Sequence, residues 1–259
     1  LHFATAEPRA LEPVSHELRV PVLDQEDLLK QGIDTATLIK GASEVDALGS
    51  CVANASTAAL SFGLTPAELD GMLPPGSPRL SLSDAVADEE FAIWLYHCLT
   101  DSSGDSADEW PPSDVGSSGL TACRFLKHQG LIEGSRIAHG GINILSLLQA
   151  GPLIVGQPWF NAWMDPDRDG FIDGDGSPEQ LQADIGSGVA GGHETCWYAI
   201  DSLGYDLAGG IDPEKTVIRF RNSWSSAWAL NGDGRAHLST FLALGSYCDY
   251  RQFTFRSAA

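Results

Sequence analysis

The chain changes character at about residue 151, and that change limits the folds open to it more than any other feature. Before it, the patterned stretches are helical. Cys51 to Leu60 is rich in alanine and has no Gly or Pro to interrupt it. Ser83 to Leu99 opens with Asp84, Asp88, Glu89 and Glu90 and then turns apolar, which places acid at the positive end of a helix dipole. Ser118 to Gln129 reads as a helix stopped by Gly130, and Asn143 to Ala150 as a short one ended by Gly151. After residue 151 come short runs rich in β-branched and aromatic residues: "PLIVGQPWF", "ETCWYAI", "TVIRFRN", "RAHLS" and "YRQFTF". Helices first and strands later predict an α+β fold, with a cleft between the two parts as the natural binding site. Asp101 to Gly119 is polar and rich in Pro and Gly, a long loop of the kind that carries function.

A chain of 259 residues at 43% hydrophobic content can bury a sizeable core, as one large domain or two small ones. No apolar run approaches the roughly 20 residues that span a bilayer. Leu1 to Arg9 lacks the basic-then-apolar order of a signal peptide, and the compartment stays open. The net charge of −20 speaks against nucleic acid and anionic membrane as partners and for basic or neutral peptides and cations. The five cysteines show no C-x-x-C spacing, which argues against a structural zinc site. Their odd number fits one free thiol and two disulfides, or five reduced thiols.

Cys51 stands in "DALGSCVANAS", at the start of the first long helical stretch. Alone it is as readily a small core residue as a nucleophile. Two further stretches bear on it. "GGHETCW" places His193 behind two glycines at the start of an apolar strand, and "RFRNSWSSAW" places Asn222 at a strand end. A nucleophilic thiol needs a base within hydrogen-bond reach, and the base needs a third group to hold its ring. Cys, His and Asn from separate elements meet that need.

These stretches, in this order, resemble the papain-like cysteine peptidases. "LGSCVANA" keeps the Gly-Ser-Cys of the family signature and is similar to its bacterial and phage branch. "NSWSSAW" resembles the family's Asn-Ser-Trp-Gly-x-x-Trp-Gly, with Ser225 and Ala229 where glycines are usual. "NGDGRAHLS" follows where the family has Asn-Gly and a strand. "VGSSGLTACRFLKHQGLI" resembles the helix bordering the substrate groove, and "GPLIVGQPW" the strand that enters the second lobe. The matches run from about Pro21 to Leu238.

The resemblance implies an α+β, two-lobed fold: a helical lobe over about residues 45–150, an antiparallel β-barrel-like lobe over about 151–259, and the segment 1–44 packing across them in one catalytic domain. It implies Cys51 as nucleophile, its thiolate favoured at a helix start, His193 paired with it as imidazolium, Asn222 as the group holding the ring, and Trp224 as a shield for that hydrogen bond. Gly116, Ser117 and Ser118 would border the substrate groove. The family's second oxyanion donor is a glutamine shortly before the cysteine. Val45 occupies that place, and Gln25 would return to the site if residues from about Glu26 to Ala47 form an outward bulge.

A second motif lies apart from these. "DPDRDGFIDGDG", Asp165 to Gly176, starts like an EF-hand loop. It predicts structural Ca²⁺ held by Asp165, Asp167, Asp169, the Phe171 carbonyl and Asp173, without the usual final Glu. No organic cofactor is expected. Cys98–Cys123 and Cys196–Cys248 are the expected disulfides, if any form. The first pair flanks the long loop, and the second would tie the His193 strand to the last strand. The activity implied is hydrolysis of peptide bonds through a thioester. The rivals are an amidase or peptide ligase acting on cell-wall or other peptides, and an inactive, calcium-stabilised binding module.

Overall fold

The structure is a computed structural model that describes residues 11–32, 48–101 and 109–256, without the side chains of residues 26, 27 and 29. In chain order the strands are β1 (Val14–Ser15), β2 (Gly134–Ile137), β3 (Leu153–Phe160), β4 (Val189–Ser202), β5 (Val217–Arg221), β6 (Asp233–His237) and β7 (Asp249–Thr254). The helices are α1 (Gln25–Lys30), α2 (Cys51–Gly63), α3 (Pro66–Met72), α4 (Ala85–Asp101), α5 (Gly119–His128), α6 (Gly141–Ala150), α7 (Pro178–Gly186) and α8 (Leu238–Leu244).

Helix α2 is the centre of the first lobe, and every residue from Val52 to Ser61 is buried. A helix buried on all sides needs small side chains, which is what its run of Ala, Ser and Thr provides. Helix α5 starts at the Ser118 cap, whose hydroxyl accepts from the Thr121 N–H, and ends before Gly130, whose φ of +76° only glycine adopts freely.

The strands form one antiparallel sheet in the order β2-β7-β3-β4-β5-β6, with β1 on β4. β3 runs out where Leu153 meets Trp197, and the edge of β4 beyond it takes β1 at Ala199 and Ile200. The chain at Val14 and Ser15 is thereby tied to the edge of β4. The sheet ends at β2 and β6, which do not pair with each other, so it is open and not the barrel-like closure expected.

Side chains alternate across the sheet, and its middle is buried on both faces. Ile154 and Cys196 join the core under α2, α4 and α5. Leu153, Val155 and Trp197 join the other core, with Leu145 and Leu148 of α6 and Phe241 of α8. Helix α6 therefore packs with the second lobe, and β2 is part of its sheet. The division falls near residue 133 and not 150, because helical periodicity marks a buried face without saying what covers it.

All five cysteines are free thiols, which corrects both expected disulfides. Cys196 sits in the core beneath the helices, whereas Cys248 packs against the core on the opposite face of the sheet. Cys123 is held in the helical core, and Cys98 is not part of it. Among the described residues no helix is long and apolar enough to cross a membrane.

Candidate active site

Cys51 is the first residue of α2, so its backbone N–H belongs to the set that a helix leaves without internal partners. His193 lies on β4 and Asn222 just past β5, which run side by side with Cys196 opposite Arg221. That pairing brings the imidazole and the amide together: Asn222 Oδ1 lies 2.7 Å from His193 Nε2. The Ser223 N–H donates to the same oxygen at 2.8 Å, which sets the amide's orientation. With that oxygen as acceptor, Nε2 carries the proton and Nδ1 is left to accept.

Aromatic rings enclose the pair. Trp224 stacks on His193, with centroids 4.8 Å apart and planes at 26°. Trp159 of β3 meets the same ring edge-on, also at 4.8 Å. Trp159 carried no sequence signal beyond being an aromatic in a strand. Ser225 and Ala229, where the resembled motif has glycine, take φ of 71° and 44°. The turn is thus kept without its glycines, at a cost of about 1–2 kcal/mol per residue.

Cys51, His193, Gln25 and Trp224 line one cleft of about 530 Å³. The Gln25 amide nitrogen donates to the Leu48 carbonyl and to the Ser50 hydroxyl, both at 2.8 Å, and its oxygen accepts from the Leu48 N–H. Ser50 passes the chain on to Asn54, and Asn54 to Glu89. Both amide hydrogens of Gln25 are therefore engaged at the turn that precedes Cys51. The residues of the proposed bulge from 33 to 47 lie outside the described residues.

On the other side of the thiol a second cleft, of about 1040 Å³, is bordered by Gly116, Ser117 and Ser118. Its rim is tied to the cysteine's turn by Asp114, which accepts from the Gly49 N–H at 3.0 Å and from the Tyr96 hydroxyl. A Cβ on Gly49 would come within 2.9 Å of that carboxylate, so the approach requires glycine.

Burial governs the charge states. It pushes the Cys51 thiol up to about 11; the adjacent Glu194 N–H pulls the other way and the Glu194 carboxylate adds to the rise. Burial also pushes His193 down to about 4, with the bond to Asn222 opposing. Neither shift contains a thiolate–imidazolium attraction. Burial thus favours the neutral thiol and the neutral imidazole, which line the same cleft.

The Asp165–Asp173 loop is organised differently from a calcium site. The Asp167 N–H donates to the Phe171 carbonyl, and the Asp167 carboxylate accepts from the N–H groups of Asp169 and Phe171. Asp173 is buried and turned into the protein, accepting from the His237 N–H, from the His237 ring and from the Thr240 hydroxyl. The Gly170 carbonyl and the Ile172 N–H pair with Arg235, and Phe171 stacks on His237 at 4.9 Å. Two of the five expected ligands are thus committed elsewhere. Among the described residues no group of three or more His, Cys, Asp or Glu side chains is placed to hold a metal ion. As formed, the donor set does not fit calcium, and the stapling expected of the ion is done by backbone and side-chain hydrogen bonds.

No family model matches the chain, and no curated protein matches it. Solved structures do. The Carica candamarcensis cysteine protease CMS1MS2, in complex with E-64, is similar with a TM-score of 0.50 and 12% identity, over 92% of this chain and 94% of that one. Xylellain, a cysteine protease from Xylella fastidiosa, gives 0.49 and 16%, over 96% and 88%. At such identities the likeness concerns the architecture alone. The two lobes, the central helix that begins at a cysteine and the open antiparallel sheet are the papain-like cysteine peptidase fold.

Proposed function

We propose that the protein is a cysteine peptidase whose nucleophile is Cys51. The observation that carries this reading is the His193–Asn222 bond of 2.7 Å, roofed by Trp224, on the cleft that Cys51 also lines. With both partners neutral at rest, His193 acts as general base: Nδ1 takes the thiol proton as the sulfur attacks the substrate carbonyl. The resulting imidazolium is held by Asn222 and protonates the leaving amine. A thioester is left on Cys51, which water then hydrolyses. The Cys51 N–H at the helix start stabilises the developing oxyanion. Gln25 supplies the second donor by turning one N–H away from Ser50.

The test is labelling of the Cys51 peptide by an epoxide or iodoacetamide across pH, together with hydrolysis of a mixed peptide library. Labelling and hydrolysis should both vanish in Cys51→Ala. The labelling rate should climb with pH toward about 11, since a raised thiol pKa delays the thiolate. A rate already level below pH 7 would show a preformed ion pair instead. The neutral resting pair also supports a second reading, an inactive binding module. Labelling without any hydrolysis across the library would favour it, and a Cys51→Ala variant that kept its activity would remove Cys51 from the mechanism.

A further inference from the structure

Glu194 follows His193 directly on β4 and therefore points to the opposite side of the strand. It is 6% exposed, yet its carboxylate makes no hydrogen bond or ion pair among the described residues. Its oxygens keep access to the cleft, which is the side from which a partner can reach them. Its surroundings are shaped to hold it: a Cβ on Gly119 would lie 2.7 Å from Glu194 Oε1, and one on Gly156 2.8 Å from Oε2. Both glycines and Glu194 line the larger cleft beside Cys51. The walls of that cleft also carry Asp114 and Asp249 and, among the described residues, no lysine or arginine. Asp249 is paired with Arg251 of its own strand, and Asp114 is engaged by Gly49 and Tyr96, so Glu194 is the carboxylate left for a ligand. Tyr247, 79% exposed, stands at the rim, where its ring can face a cation.

We propose that this cleft is a subsite for a cationic side chain, lysine or arginine, of the peptide presented to Cys51, with Glu194 as its counter-ion. The proposal rests on the peptidase reading for the identity of its ligand, and its test does not depend on hydrolysis. The titratable groups facing Glu194 are Asp249 and Arg251 from β7, the Cys51 thiol from α2 and the Cys123 thiol from α5, with His193 and the Cys196 thiol on its own strand β4. Burial and the Asp249 charge push the Glu194 carboxyl up to about 8, against the pull of Arg251, which favours its protonated form at pH 7. An arriving cation would ionise it and release that proton.

The experiment is calorimetric binding of acetyl-Gly-Arg-Gly-amide and acetyl-Gly-norleucine-Gly-amide to Cys51→Ala, in buffers of different ionisation enthalpy at pH 7. The arginine peptide should bind about 10- to 100-fold more tightly and release up to one proton, and the norleucine peptide should release none. In Cys51→Ala/Glu194→Gln the difference between the two peptides should collapse. Equal affinities, no proton release, or a preference that survives Glu194→Gln would overturn the subsite. If the double variant fails to fold, proton release in Cys51→Ala still decides the matter. A preserved arginine preference in a protein that hydrolyses no peptide would refute the peptidase reading and leave the subsite standing.

Discussion

Two acidic regions of this chain trade places between sequence and structure. The Asp165–Asp173 loop has the spacing of a cation site, and Glu194 has no spacing at all. In the fold, the loop's one buried carboxylate, Asp173, is fully engaged by His237 and Thr240. Glu194, comparably buried, is engaged by nothing among the described residues and faces a cleft. The satisfied carboxylate is a fastening between the loop, β6 and α8. The unpartnered one opens onto the cleft with its proton affinity raised by burial, and such groups concentrate where ligands bind. Hydrogen-bond satisfaction, more than the density of acidic residues, separates the two roles.

The largest effect expected from this contrast is on stability. Asp173→Ala removes three accepted bonds and leaves the His237 N–H and the Thr240 hydroxyl buried without a partner. It should lower the unfolding free energy by about 3–5 kcal/mol, measured by urea denaturation. A loss below about 1 kcal/mol would mean that the loop is held by its backbone pairing to Arg235 and not by Asp173.

Glu194→Gln should do the opposite. Burial holds the folded carboxyl up at about 8 against an ordinary value of 4.5, so the folded state holds its proton more tightly. Wild-type stability contributed by this group is complete below pH 4.5 and is lost as pH rises through 8. The variant should therefore match the wild type in acid and gain on it with rising pH, levelling off above pH 8 at about 2 kcal/mol once water in the open cleft is allowed for. Denaturation curves at pH 4, 6 and 8 check the trend. A variant less stable than wild type at pH 8 would show that Glu194 has a structural partner and would end its contrast with Asp173.

The smallest effect concerns calcium. Because Asp173 and the Phe171 carbonyl are already engaged, exchanging a chelator for millimolar calcium should move the melting temperature by less than about 2 °C. A larger rise, lost in Asp167→Asn, would mean that the loop rearranges around the ion and that the structural comparison holds only without it.

Much of the fold was readable in the residues because the signals are local. The alanine-rich run at Cys51, the Ser118 cap and the Gly130 stop are each short-range physics, and α2 and α5 form where they indicate. β1, β2, α1, α3, α7 and α8 are not among the elements read from the sequence. β2 is four residues long and has an exposed face, and α7 sits within the acidic insertion, where its Ser177 cap and Pro178 were the available signals. Local pattern is enough for the α+β class, the helix that starts at Cys51, and the order of cysteine, histidine and asparagine with the Trp motif around them. Packing between distant segments is what makes α6 cover the far face of the sheet, puts Cys196 and Cys248 on opposite faces, brings Gln25 to the turn before Cys51, and gives Asp173 partners that the Glu194 carboxylate lacks among the described residues. The reason is range. Caps, breakers and periodicity act over a few residues, whereas a buried carboxylate's partners are set by which strands and helices meet, and Asp173 finds its partners more than sixty residues along the chain.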